Sequence, residues 1–148
     1  MKIYFIAVGK VKSKTYLDEI NNYLKQIPYP TEIIEVKDEA KISGMVLEKN
    51  RILKRLPKNS YLICLDRKGN EKSSIEFSND LKKIVESTNK NIVFIIGGSY
   101  GIDEELLQMA NETLSFSKFT FPHQLMRVIL VEQIFRAFKI MANHPYHK

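Results

Sequence analysis

Apolar positions fall into two kinds of run along this chain. Residues 3–8, 61–65 and 91–96 are short, unbroken and rich in β-branched and aromatic side chains, the pattern of strands covered on both faces. Residues 31–36 predict a further strand and residues 114–116 a short fifth. Between them lie segments whose apolar residues recur every three or four positions. Tyr16, Leu17, Ile20, Tyr23, Leu24 and Ile27 predict a helix over 14–27 that Pro28 stops. Ile42, Met45, Val46, Ile52, Leu53 and Leu56 predict another over about 42–56, with Gly44 in its first turn and Pro57 beyond its end. A turn is expected at Asp66-Arg67-Lys68-Gly69. Ser73 or Ser74 can cap a third helix that buries Phe77, Leu81, Ile84 and Val85, and residues 103–110 suit a short helix with acidic residues at its positive end.

Strands alternating with helices at this spacing define an α/β fold, a mostly parallel sheet flanked by helices, read as a single domain over residues 1–148. The last helix, over about 124–141, departs from the amphipathic pattern of the others. One broad face carries Met126, Val128, Leu130, Val131, Ile134, Phe135, Ala137, Phe138 and Met141, with Arg127 near its middle; the opposite stripe mixes Leu125, Ile129 and Ile140 with Glu132, Arg136 and Lys139. A helix of this profile is covered on more than one side, and a second subunit is the expected cover, which predicts a homodimer.

Charge adds a partner to this picture. The formal net charge is +6, with clusters at Lys10, Lys12 and Lys14, at Lys54, Arg55 and Lys58, and at Arg67, Lys68 and Lys72. A polyanion fits such a surface, although a solvated lysine-rich face fits it equally. The one cysteine, Cys64, sits in an apolar run, which excludes an intrachain disulfide and a cysteine-based zinc site and predicts core packing. No apolar run approaches the roughly 20 residues that span a bilayer, and the apolar opening is too short for a signal-peptide core, so a cytoplasmic protein is expected.

Candidate chemistry gathers toward the C-terminus, where His123, His144 and His147, all of the histidines, lie. Gly97-Gly98-Ser99-Tyr100-Gly101 follows a strand and resembles a cofactor turn, yet it matches neither a Gly-x-Gly-x-x-Gly fingerprint nor a phosphate loop. Ser117, Lys118, Phe119, Thr120, Phe121 and Pro122 have no helical period and suit either a pocket lining or a connecting loop. His123 is placed to cap or pack locally before the last helix. A buried Arg127 requires a partner, and Glu132 and Arg136, four apart, suit a helical ion pair. Asn143-His144-Pro145-Tyr146-His147 puts acid-base groups and an aromatic face in one short tail.

Taken together, Ile95-Ile96-Gly97-Gly98, Gly101, Phe121-Pro122-His123, Arg127-Val128, Glu132-Gln133, Arg136-Ala137 and Asn143-His144-Pro145-Tyr146-His147 closely resemble the RlmH family of ribosomal RNA methyltransferases, small members of the SPOUT superfamily. The likeness extends to the opening Ala7-Val8-Gly9-Lys10. The resemblance implies methyl transfer from S-adenosylmethionine to N3 of a pseudouridine in 23S rRNA within the ribosome, by a homodimer that needs no metal. It also implies a C-terminal trefoil knot, which connection rules do not anticipate. Carried over by position, cofactor contacts fall on Leu65, Gly98, Ser117, Lys118, Phe119, Thr120, Phe121 and Pro122. Arg136, Tyr146 and His147 become candidates for taking the acceptor's proton or stabilising the anion it leaves, with Glu132 orienting Arg136. Lys148 and the N-terminal lysines would grip phosphate. In so small a chain, one subunit's tail is expected to complete the other subunit's site. A noncatalytic RNA-binding protein, using the basic surface without a cofactor, is the alternative.

Overall fold

The computed structural model describes residues 1–148. Strands β1 (Ile3–Val8), β2 (Thr31–Val36), β3 (Ser60–Glu71), β4 (Asn91–Ile96) and β5 (Glu112–Ser115) form one sheet in the order β2-β1-β4-β3-β5. Every pairing is parallel. Alternation along each strand divides the core in two. On β4, Ile92, Phe94 and Ile96 face α1 (Lys14–Leu24), α3 (Ser74–Ser87) and α5 (His123–Met141), while Val93 and Ile95 face α2 (Met45–Arg55) and α4 (Glu104–Met109). Phe94 is fully buried, stacked on Phe5 at 5.8 Å between ring centroids and edge-on to Phe77 at 6.4 Å. Each such side chain removed from water contributes roughly 1.5–3 kcal/mol.

Local signals in the sequence place the helix ends. Ser73 caps α3 in a reciprocal capping box with Glu76, whose carboxyl lies below the usual range because it accepts the Ser73 N–H. Asp103 caps α4.

Three expectations are corrected. The helix over 14–27 ends at Leu24, and the chain closes in tight turns as Gln26 and Ile27 donate to the carbonyls of Tyr23 and Leu24. Ile27 precedes Pro28 and is disfavoured in the helical region, yet its side chain is still buried. The second helix begins as a 3-10 turn at Ile42–Gly44, and Ile42 and Val46, expected inside, are 64% and 50% exposed. Ile52 is buried as expected, with Leu53 and Leu56 packed beside it, but Gly44 and Glu48 face inward in place of Ile42 and Val46; a Cβ on Gly44 would stand 2.3 Å from that of Glu39, whose side chain fills the space there. At 66–69 there is no reversal. β3 continues through these residues, with a register break that sets Leu114 opposite both Leu65 and Asn70. Gly69 permits it, since a Cβ there would come within 2.8–2.9 Å of the Thr113 and Leu114 backbone.

Candidate active site

β1 and β4 are neighbours whose following connections leave in opposite directions, toward β2 on one side and β5 on the other. A crevice opens at the carboxyl ends of such a strand pair, where parallel α/β sheets take ligands. Two cavities meet in it, sharing Gly98, Ser99 and His123.

The smaller, about 490 Å³, lies over the glycine turn. Of the residues expected to hold a cofactor, Leu65, Gly98, Ser117, Phe119, Thr120 and Phe121 line it; Pro122 lines the larger cavity and Lys118 neither. Gly98 is buried between Val8 and Glu48, and an added Cβ would stand 3.0 Å from Val8 Cγ1 and 3.4 Å from Glu48 Oε2. The turn closes through the Gly101 N–H, which donates to the Gly98 carbonyl at 3.0 Å, with Gly101 at φ +87°. Opposite it, the loop after β5 is fixed by its own polar groups. Ser115 Oγ donates to the Ser117 carbonyl, and the Phe119 N–H to Ser117 Oγ, both at 3.0 Å, while Arg67 donates to Thr120 Oγ1 at 2.6 Å. Phe119 is 79% exposed, an apolar ring left uncovered at the cavity. Arg67, Leu107 and Met126 also line it and were not anticipated: Arg67 read as part of a basic cluster, Met126 as an apolar position of the last helix, and Leu107 only as a member of the helix over 103–110.

The larger cavity, about 820 Å³, lies between the end of β1, the end of β2 and the start of α5. Arg127 anchors its floor. It is 3% exposed, paired with Glu35, and donates from Nη2 to the carbonyls of Gly9 at 2.6 Å and Val8 at 3.2 Å. The requirement that a buried guanidinium be compensated is met. Glu35 also accepts the Val11 N–H at 3.0 Å, and the Lys12 N–H donates to Gln124 Oε1 at 2.8 Å, tying the β1–α1 loop to α5.

Glu132, Arg136, Tyr146 and His147 form one cluster because the tail folds back along α5. Glu132 Oε1 accepts from Arg136 Nε at 2.9 Å, from Arg136 Nη2 at 2.6 Å and from Tyr146 Oη at 2.8 Å. The Arg136 guanidinium lies 4.7 Å from the Tyr146 ring centroid, and that ring packs edge-on against Phe135 at 4.8 Å. Arg136 Nη1 is 3.1 Å from His147 Nδ1. A guanidinium only donates, so Nδ1 accepts and the ring proton of His147 sits on Nε2. Hydrogen bonding to Glu132 raises the Arg136 pKa, securing its charge. Burial, then the bond to Glu132, pushes the Tyr146 phenol up to about 12, so it stays protonated and donates at neutral pH.

The tail cluster and the cofactor cavity lie apart within one chain. None of the four tail residues lines either cavity, and Arg136 is ten positions beyond Met126, the last residue of α5 in the smaller cavity, about 15 Å along the helix. Arg127 and Arg136, nine positions apart, also project from opposite sides of α5.

A parallel sheet with a glycine turn at the carboxyl edge, a cofactor-sized cavity and a loop closing over it defines an α/β enzyme of the ligand-binding kind. Residues 1–147 match the family described as predicted SPOUT methyltransferase, and the chain belongs to that family: it is a methyltransferase. It is 49% identical over 148 residues to ribosomal RNA large subunit methyltransferase H of Acholeplasma laidlawii, and 43% identical over 159 to the protein of the same name from Enterococcus faecalis. Both matches cover all of either chain. Among solved structures, a probable methylase family protein from Haemophilus influenzae shares the fold at a TM-score of 0.57 and 13% identity, over 99% of this chain and 70% of that one. The family resemblance carried by the motifs is thereby borne out. No helix is long and apolar enough to cross a membrane.

Proposed function

We propose that this methyltransferase acts on large-subunit ribosomal RNA, at N3 of a pseudouridine on the ribosome, as a homodimer whose sites each draw on two chains. The separation of the tail cluster from the cofactor cavity carries the two-chain reading, because the reaction needs both, none of the four tail residues lines that cavity, and Arg136 stands ten positions beyond Met126 of its wall, about 15 Å along the helix. Support also comes from Leu125, Val128 and Ile129, apolar residues of α5 left half-covered, and from the relatives' names. The trefoil knot belongs to the same reading and is supported by the family that the chain matches.

The smaller cavity fits S-adenosylmethionine in volume, in its open glycine backbone and in its apolar walls at Leu65, Phe119 and Phe121. Bound there, that cofactor supplies a sulfonium methyl open to direct displacement by a lone pair. N3 of the acceptor must lose its proton to offer one, and the proton leaves to solvent water, since Arg136, Tyr146 and His147 all stand here as donors. Arg136, cationic and held by Glu132, stabilises the resulting anion. His147 presents its Nε2–H to a carbonyl of the base, and Tyr146, locked as a donor to Glu132, offers a face for stacking.

The test is subunit complementation. A chain truncated after Ala142 and a Gly98→Trp chain are each expected to be inactive alone. Random mixing makes half the dimers mixed, each with one complete site of two, so about a quarter of wild-type activity per chain should return. Mixed dimers that form and remain at background would refute the shared site. Calorimetry on wild type and Gly98→Trp tests the cofactor cavity separately.

A further inference from the structure

Most of the expected cofactor contacts line the smaller cavity, and the larger one opens into it through Gly98, Ser99 and His123. Lys10, Lys12 and Lys37 line it, and none forms an ion pair, unlike Lys2, Lys14, Lys49 and Lys72 elsewhere. Arg127 and Glu35 neutralise each other, which leaves three cations against Asp38 alone. The Arg127 side chain is 4% exposed, and its Nε is the one buried side-chain nitrogen or oxygen without a partner. α5 starts at this cavity, with no side chain capping its first turn. Gly9, at φ +87°, turns the chain so that Lys10 and Lys12 follow on the cavity wall.

We propose that this cavity is an anion subsite that seats backbone phosphate of the acceptor RNA strand beside the cofactor. The inference rests on the rRNA-methyltransferase reading and extends it. A strand whose reacting base enters the smaller cavity through the shared wall leaves its neighbouring phosphates over Lys10 and Lys37. Phosphate contacts fix register without reading sequence, which suits a chain with one small sheet and few surfaces to spare. The carboxylate of the cofactor's methionine portion is the other anion that this chemistry would accept.

Lys10→Ala/Lys37→Ala is compared with Lys82→Ala/Lys83→Ala, which removes the same charge from α3, away from both cavities. Lys10 and Lys37 are exposed, so the first pair folds as wild type does. Binding to unmethylated large ribosomal subunits is measured across a salt series, with the KM for those subunits and, by calorimetry, the affinity for S-adenosylmethionine. The cavity variant is expected to bind subunits at least tenfold more weakly, to lower the log–log salt slope by about 1.5 for two lost contacts, and to raise KM more than it lowers kcat. Its cofactor affinity should stay within twofold of wild type. A subunit affinity and slope equal to those of the α3 control would overturn the proposal, and so would a parallel loss of cofactor affinity, which would assign the site to the cofactor's carboxylate. A wild-type chain that binds subunits with the expected slope but transfers no methyl group would retain the phosphate subsite and sink the catalytic reading instead.

Discussion

Glu132→Gln probes the tail most directly. Glu132 Oε1 accepts three hydrogen bonds, two from Arg136 and one from Tyr146, so a single carboxylate organises the cluster. The amide keeps the shape and one acceptor but discards the charge. Hydrogen bonds to charged groups contribute roughly 1.5–3 kcal/mol against about 1 for neutral ones, and partial exposure places this cluster at the low end. Only the Tyr146 bond joins the tail to α5, the two from Arg136 lying within the helix, so tail docking should weaken by about 0.5–1 kcal/mol, roughly a 2- to 5-fold shift toward the undocked tail. Amide exchange at His144 and Tyr146 reads that shift, because their N–H groups donate to the Lys139 carbonyl at 2.9 Å and to His144 Nδ1 at 3.1 Å. Both amides should exchange faster by that factor, and kcat should fall with them. Cofactor affinity should hold, since Glu132 does not line the cofactor cavity. In a double-mutant cycle with Tyr146→Phe the effects should couple by at least about 0.5 kcal/mol. Tail amides that exchange at the wild-type rate, together with additive double-mutant effects, would refute the view that Glu132 holds the tail.

Two further outcomes are expected. An ultraviolet titration of wild type against Tyr146→Phe should place the missing phenol at about 12. Because that pKa is raised in the folded chain, the docking it supports is complete below the ordinary tyrosine value near 10 and is lost as pH climbs through about 12; a phenol titrating near 10 would contradict the contact with Glu132. Phe94→Ala should cost about 3–5 kcal/mol in urea unfolding, since the ring is fully buried between Phe5 and Phe77, and a cost below about 1 kcal/mol would mean the core there is looser than described.

The strand cores were legible because they carry one continuous signal, and residues 3–8, 31–36 and 91–96 form strands with those bounds. What the sequence hid depends on what packs against the two glycines. Gly69 reads as a turn residue until Thr113 and Leu114 are seen against it, and Gly44 reads as a weak helical start until Glu39 occupies the space of its missing side chain. The candidate site shows the same division. Glu132 and Arg136 announce their pairing by spacing alone, whereas the arrival of Tyr146 and His147 beside them depends on how the tail reverses at Asn143, which adopts φ +55°. Ser117 to Pro122 entered as one stretch carried over from the family, and because successive residues of an extended loop point in different directions, Pro122 and Lys118 do not line the smaller cavity.

α5 works as a ruler. Arg127 clamps its first turns to the ends of β1 and β2, and everything the tail does is measured from that clamp. A residue inserted between Arg127 and Glu132 would swing the tail by about 100° around the helix axis, aiming Arg136 and His147 away from their present quadrant. Seven inserted residues would restore the angle to within about 20° but shift the cluster by about 10 Å. Among chains that share this chemistry, length should therefore vary in the loops and stay constant between the clamp and the tail, so that the count of residues in one helix becomes a conserved quantity in its own right.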